Sequence, residues 1–347
     1  MKILLNSPSL SNNMAYRIVT HSNCTDGFSS AFVVKKYFNI LLEKNLSQKE
    51  IDLIQIVGAM PPDIQTGSFK VTMDDIIVDL PNPKTEVSFW CDHHDTSKPK
   101  TVLPNHYYWK DTPSCTGYLL ELVQEKGVKL SKETLDFKKA IDIMDSASYS
   151  SKQIELCYYA QKDYDLDDPL LRLHIIGAMF NTRDKVLNDE IFKTLLGGKL
   201  GETPLSDKGL WKLNPLMFHK SQLESYAQWR EVVDNYLKYN ENIKVVIQDD
   251  RKATISRGVA DRFYVYIKFP KARYSVNFRL IDNETTRFGI GSNIFHKEWC
   301  AVNIGKLCFE TGKKFEGAGG GHPTVGGLNI NSKYTDEALQ YILNELK

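Results

Sequence analysis

The 347-residue sequence has no apolar run approaching the ~20 residues that cross a bilayer, and its longest ones are of strand length. That sets aside a membrane-spanning helix, and "MKILLNSPSLSNN" turns polar too soon for a secretory signal. Nor is either charge in excess. With 44 Lys and Arg against 43 Asp and Glu the net charge is +1, so no global field would coat nucleic acid and any polyanion must be caught locally. The six cysteines, Cys24, Cys91, Cys115, Cys157, Cys300 and Cys308, contain no CxxC pair. That argues against a zinc ribbon and a small disulfide scaffold. Internal repeats and low-complexity stretches are missing too. The expectation is a cytoplasmic protein with reduced thiols and no membrane partner, long enough for about two domains of roughly 150 residues.

What is present falls into two textures. After a polar leader over 1–15, residues 16–180 alternate β-rich runs ("YRIVTH", "IDLIQIVGAM", "DDIIVDLP", "VSFWCDHH") with helical stretches, the pattern of an α/β parallel sheet with crossover helices. The text then turns helical through "DEIFKTLLGG", and "GGKLGETPLSDKG" reads as a connector. Ser221 and Glu224 predict a capping box opening a linker helix that carries Tyr226, Trp229, Val233, Tyr236 and Leu237. From Ile243 the period becomes two. "RFYVYIKF" and "SVNFRL" predict strands of a one-sided antiparallel sheet, with Phe263, Val265, Ile267 and Phe269 on the inner face of the first. The boundaries expected are 16–200, 201–241 and 242–347.

Chemistry-bearing residues gather where strands end. One predicted strand ends in His21 and runs on through Asp26-Gly27, a second ends in Asp79, and a third ends in "CDHHD", Asp92-His93-His94. In a parallel sheet these ends share one rim, where ligands collect. Asp145 is a further donor on a helix, with Asp142 one turn away as an alternative. Mixed carboxylate and imidazole donors suit Mn²⁺, Mg²⁺ or iron. A carboxylate such as Asp79 could bridge two ions ~3.5–4 Å apart, the spacing used for in-line attack on phosphorus.

The order of "HSNCTDG", a strand-terminal Asp, Asp-His-His, "DTPSCTGYLL" and a helical Asp resembles the DHH phosphoesterase superfamily, and "GAGGGHPTVGG" resembles the glycine-rich signature of its C-terminal DHHA subdomain. The resemblance covers nearly all of the chain from residue 16. It implies an N-terminal DHH domain, a helical linker and a smaller C-terminal α/β domain. It further implies two Mn²⁺ ions, with Mg²⁺ or Co²⁺ as substitutes, on His21, Asp26, Asp79, His93 and Asp145. In the same reading Asp92 orients the histidine pair and His94 faces the scissile phosphate. One departure stands out: Cys24 occupies a position where an Asp is common.

The second domain should then select substrate. Gly319, Gly320 and Gly321 would let main-chain N–H groups approach a phosphate, with His322 as an added donor. Arg279 would grip a phosphate or stack on a base, among eight basic side chains between 249 and 279. Tyr264 and Tyr266 would offer stacking surfaces. Ser114 reads either as part of a helix start or as a phosphate contact. The expected activity is phosphodiesterase or exonuclease action on short single-stranded RNA or DNA, or on dinucleotides, giving nucleoside monophosphates. Alternatives are a phosphatase for adenosine bisphosphate-type nucleotides and a nucleotide- or RNA-binding protein with little turnover; a homodimer is compatible with each.

Overall fold

The computed structural model describes residues 16–159, 163–180, 190, 191, 194, 200–253, 261 and 263–347. The leader, most of "DEIFKTLLGG", the start of the connector, Arg257 and Arg262 lie outside them. The first sheet is parallel throughout. It is built from β1 (Arg17–His21), β2 (Gln55–Ala59), β3 (Asp75–Val78), β4 (Phe89–Asp92) and β5 (Tyr107–Trp109), in the order β2-β1-β3-β4-β5. Its central strands are apolar on both faces because both are covered. Every residue of β3 and β4 is buried. Ile18, Ile76 and Phe89 pack under helices Thr25–Lys36, Cys115–Glu125 and Lys132–Asp145, while Val19, Ile77 and Trp90 face the opposite layer.

The second sheet has six strands: β6 (Leu237–Asn240), β7 (Val245–Asp249), β8 (Tyr274–Leu280), β9 (Thr285–Ser292), β10 (Ala318–His322) and β11 (Val325–Asn331), in the order β10-β11-β9-β8-β7-β6. It is mixed where a purely antiparallel sheet was expected, because β7 and β8 run parallel. The alternation in "SVNFRL" holds. Tyr274, Val276 and Phe278 are buried with helices Ile304–Lys314 and Thr335–Glu345, while Ser275, Asn277 and Arg279 face the other way.

Two local expectations are corrected. "YVYIK" is not a strand but a short helix, Tyr264–Lys268. Phe263, Tyr266 and Phe269 recur every third residue, so an aromatic-rich segment satisfies a helical period as readily as a period of two. Tyr266 is therefore buried, sharing a hydrogen bond with Ser275 at 2.8 Å, and presents no stacking surface. The linker helix begins at Pro215 and runs to Val233, which leaves Ser221 inside it without a capping role and places Leu237 in β6. Proline at the first helical position supplied a stronger start than the Ser221 pattern.

Candidate functional site

The strand order reverses at β1, whose neighbours are β2 on one side and β3 on the other, and that reversal opens a crevice at the carboxyl ends of β1 and β3. His21 is the last residue of β1. Asp79 follows β3 directly with φ 55°, a left-handed backbone that Asp tolerates better than most residues, and its N–H donates to the Cys91 carbonyl at 3.0 Å. Asp92 closes β4 and delivers His93 and His94. Asp26 lies in the first turn of helix Thr25–Lys36, which sits tight on β1: a Cβ at Gly27 would come 2.4 Å from the His21 carbonyl oxygen. The Asp-Gly pair thus sets the carboxylate while letting the helix approach the strand. Asp145 is the last residue of helix Lys132–Asp145.

These side chains converge. His93 Nε2 lies 3.3 Å from Asp145 Oδ2, 3.6 Å from Asp79 Oδ1 and 3.8 Å from Asp26 Oδ2, and His21 Nδ1 lies 3.4 Å from Asp79 Oδ2. Orientation comes from the surrounding backbone. His93 Nδ1 contacts the Thr112 carbonyl at 2.9 Å, which turns Nε2 toward the cluster. Asp26 accepts from the N–H groups of Cys115 and Thr116, at the positive end of helix Cys115–Glu125. Asp92 Oδ1 receives the His93 N–H at 2.8 Å and pairs with His94 Nδ1 at 2.7 Å, while Trp109 Nε1 donates to the His94 carbonyl at 2.9 Å. Trp109, the last residue of β5, escaped the sequence reading, and Thr112 suggested there only a helix start, a cap that Ser114 in fact supplies.

The electrostatics favour bound positive charge. Burial opposes a charge on His93, yet Asp79, Asp26 and Asp145 together raise it to about 11. Burial likewise opposes charge on His94, and Asp92 and Asp79 raise it to about 9. Burial, with Asp79 nearby, lifts Asp26 to about 6 and pushes Asp145 up as well, whereas for Asp79 the adjoining imidazoles overcome burial and hold it well below the carboxylate range.

Buried polar atoms are normally hydrogen-bonded. Here His21 Nδ1, both oxygens of Asp79, Asp92 Oδ2 and His93 Nε2 are buried with no hydrogen-bond partner among the described residues. Three overlapping donor sets result: His21, Cys24 and Asp79; Asp26, His93 and Asp145; and Asp79, Asp92, His93 and His94. Within each set the candidate ligand atoms lie within 4.8 Å of one another, and Asp79 joins two sets. Orphaned, inward-facing donors of this chemistry fit divalent cations.

Asp142 is not among them; it pairs with Lys138 at 2.9 Å and accepts from Ser114 Oγ at 2.6 Å. Ser114 is fully buried and also caps helix Cys115–Glu125 by accepting the Gly117 N–H. Ser114→Ala is accordingly expected to lower stability by about 1–2 kcal/mol, a fall in Tm of roughly 2–8 °C, with KM unchanged; thermal melts and steady-state kinetics check both parts.

The second domain supplies the facing wall. The His322 ring, at the end of β10, lies 4.8 Å from that of His94 and 6.1 Å from that of His93. Burial, followed by the two neighbouring imidazoles, lowers His322 to about 4. Gly319 and Gly321 are occupied by packing: a Cβ would lie 2.2 Å from the Cys308 carbonyl at the former and 2.4 Å from the Val325 carbonyl at the latter, whose φ is 147°. Gly320 alone of the three has an open side, with nothing within 4 Å. Arg279 lines a cavity of about 380 Å³ with Ser275, Asn277, Asp250, Gly289 and Thr324. Two members of the expected basic patch are held in ion pairs. Arg251 pairs with Asp249 at 2.7 Å and Asp336 at 2.9 Å, and Lys268 pairs with Asp234.

No family model matches the sequence, and no curated protein matches it. Solved structures do match. A pGpG-specific phosphodiesterase, PggH from Vibrio cholerae, superposes with a TM-score of 0.63 at 20% identity, covering 95% of this chain and 98% of its own. RecJ from Thermus thermophilus in complex with Mn²⁺ gives a TM-score of 0.57 at 12% identity, covering 96% of this chain and 52% of RecJ. CDC45 from Entamoeba histolytica gives 0.54 at 9% identity, covering 95% of each. The chain shares the fold of these solved structures.

Proposed function

We propose that this chain, built on the DHH phosphoesterase fold, is a divalent-metal-dependent phosphodiesterase. It would hydrolyse linear dinucleotides or short single-stranded oligonucleotides to nucleoside monophosphates. The observation that carries the reading is the group of buried, unpartnered donors on Asp79, His21 and His93 at the sheet's switch point. His21, Asp26, Asp79, His93 and Asp145 would hold two ions, Mn²⁺ by preference with Mg²⁺ or Co²⁺ able to replace it, and Asp79 would contact both. When bound, such ions neutralise charge on phosphoryl oxygens and lower the pKa of bound water to about 7.

The protein's own groups would position the phosphodiester. Because Asp92 holds His94 through Nδ1, the other ring nitrogen is left to contact a phosphate oxygen. His322 fronts the same space from the second domain and would steady the phosphate as a neutral donor, with Gly320 at the open stretch of β10. The division proposed is a catalytic domain over 16–200, a connector and linker helix over 201–241, and a substrate-selecting domain over 242–347.

Small substrates fit best. The Arg279 cavity has the volume of a pocket for a single small ligand rather than a long strand, and the Vibrio neighbour is specific for pGpG. Arg279→Ala is expected to raise KM roughly 10- to 100-fold with kcat little changed, as the loss of a charge-assisted hydrogen bond of about 1.5–3 kcal/mol implies. The deciding assay incubates purified protein and Mn²⁺ with a linear dinucleotide, a short RNA, a single-stranded DNA and adenosine bisphosphate. Monophosphate release from the first two supports the proposal. Phosphate release from the bisphosphate alone would make the protein a phosphatase, and binding without hydrolysis a binding module.

A further inference from the structure

The two ends of the metal cluster are chemically unequal. One donor set, Asp26, His93 and Asp145, offers oxygen and nitrogen only; the other, His21, Cys24 and Asp79, adds a sulfur. Cys24 stands at the N-cap of helix Thr25–Lys36 in an extended conformation (φ −125°, ψ 131°). A packing cysteine would sit among apolar side chains. This thiol instead lies within 4.8 Å of ligand atoms of His21 and Asp79. A second observation points to a ligand at the same place. Asp79 is only 1% exposed, and among the described residues neither its two oxygens nor the buried His21 Nδ1, 3.4 Å from Asp79 Oδ2, makes a hydrogen bond.

We infer that Cys24 is a metal ligand, so that His21, Cys24 and Asp79 form an imidazole–thiolate–carboxylate site for a borderline ion of the zinc, cobalt or iron(II) class while the oxygen-rich site takes Mn²⁺. The inference rests on the two-ion reading above and changes what that reading assigns to one of its sites. Sulfur forms strong bonds to zinc-like ions and weak ones to hard cations, so a single Asp-to-Cys difference tilts selection at one site without touching the other. On binding, the sulfur–metal bond replaces the S–H bond and the proton leaves to solvent. Cys91 and Cys115 lie nearby but deeper, and Cys115 already donates to the Cys91 carbonyl at 3.3 Å.

The test uses the full chain stripped of metal and titrated with Co²⁺, comparing wild type with Cys24→Ser and Cys24→Asp after circular dichroism shows both variants folded. The expected result is a near-ultraviolet sulfur-to-cobalt charge-transfer band in wild type that both variants lack. In Zn²⁺/Mn²⁺ competition read by metal analysis, the preference for Zn²⁺ should fall in Cys24→Asp by more than the roughly 10- to 100-fold that loss of an outer-shell partner costs. Two Co²⁺ bound with no such band would overturn the Cys24 assignment and leave the two-ion centre standing. No Co²⁺ bound at all would remove the centre itself, and the assignment with it.

Discussion

Asp79→Asn is expected to abolish hydrolysis, with kcat/KM under saturating Mn²⁺ falling by at least about 10³-fold. Loss of a single donor aimed at developing charge already costs roughly 10²–10³ in comparable enzymes, and Asp79 belongs to two of the three donor sets. Asparagine is the informative replacement. It keeps the shape of the side chain, and it tolerates the left-handed φ of 55° at this position, where alanine would add backbone strain. What disappears is the negative charge between His21 Nδ1 and His93 Nε2, 3.4 and 3.6 Å away. Both the kinetics and the bound-metal stoichiometry should drop together; a folded Asp79→Asn protein that retains two ions and turns over like wild type would refute the bridging role.

Gly319→Ala and Gly320→Ala, adjacent and chemically identical changes, should behave in opposite ways. At Gly319 the new methyl would lie 2.2 Å from the Cys308 carbonyl oxygen and 2.7 Å from Leu328 Cβ, so helix Ile304–Lys314 must lift off the β10–β11 hairpin. Overpacking against backbone costs about 3 kcal/mol or more, which for a domain of this size lowers Tm by roughly 12 °C or more. At Gly320 the methyl enters open space on the side away from the helix. Stability should stay within about 0.5 kcal/mol of wild type, while KM rises because the same space is where substrate phosphate would lie. Melting curves and kinetics on the pair separate the packing role of the glycine run from its role in binding. Equal losses of stability at both positions would refute the division.

The contrast explains why the site was more legible in the sequence than the second domain was. Each strand-end acid or imidazole sits beside a buried apolar run whose end fixes where the side chain emerges, as His21 does after "RIVT" and Asp92 after "FWC". Sequence could not separate Asp142 from Asp145, because one helical turn divides them and what distinguishes them is tertiary: Asp142 meets Lys138 and Ser114, Asp145 meets His93. In the second domain, aromatic density in "RFYVYIKF" hid a three-residue period, and two of the ion-pair partners there are remote in sequence: Asp336, a partner of Arg251 beside the neighbouring Asp249, lies 85 positions from it, and Asp234 precedes Lys268 by an entire strand pair. Glycines looked alike on the page because what distinguishes Gly319 from Gly320 is a helix packed against one side of the strand.

His322 meets His94 across the two domains, and Lys297 reaches from the second to hydrogen-bond the Ser146 carbonyl of the first at 3.2 Å. The proposed metal ligands all precede helix Pro215–Val233 and the substrate-facing His322 follows it, so the helix acts as a tether that keeps the effective concentration of one part at the other far above that of free fragments. Severed there, neither piece would possess the whole constellation. A phosphodiester bound as proposed would meet groups from both sides of the helix at once.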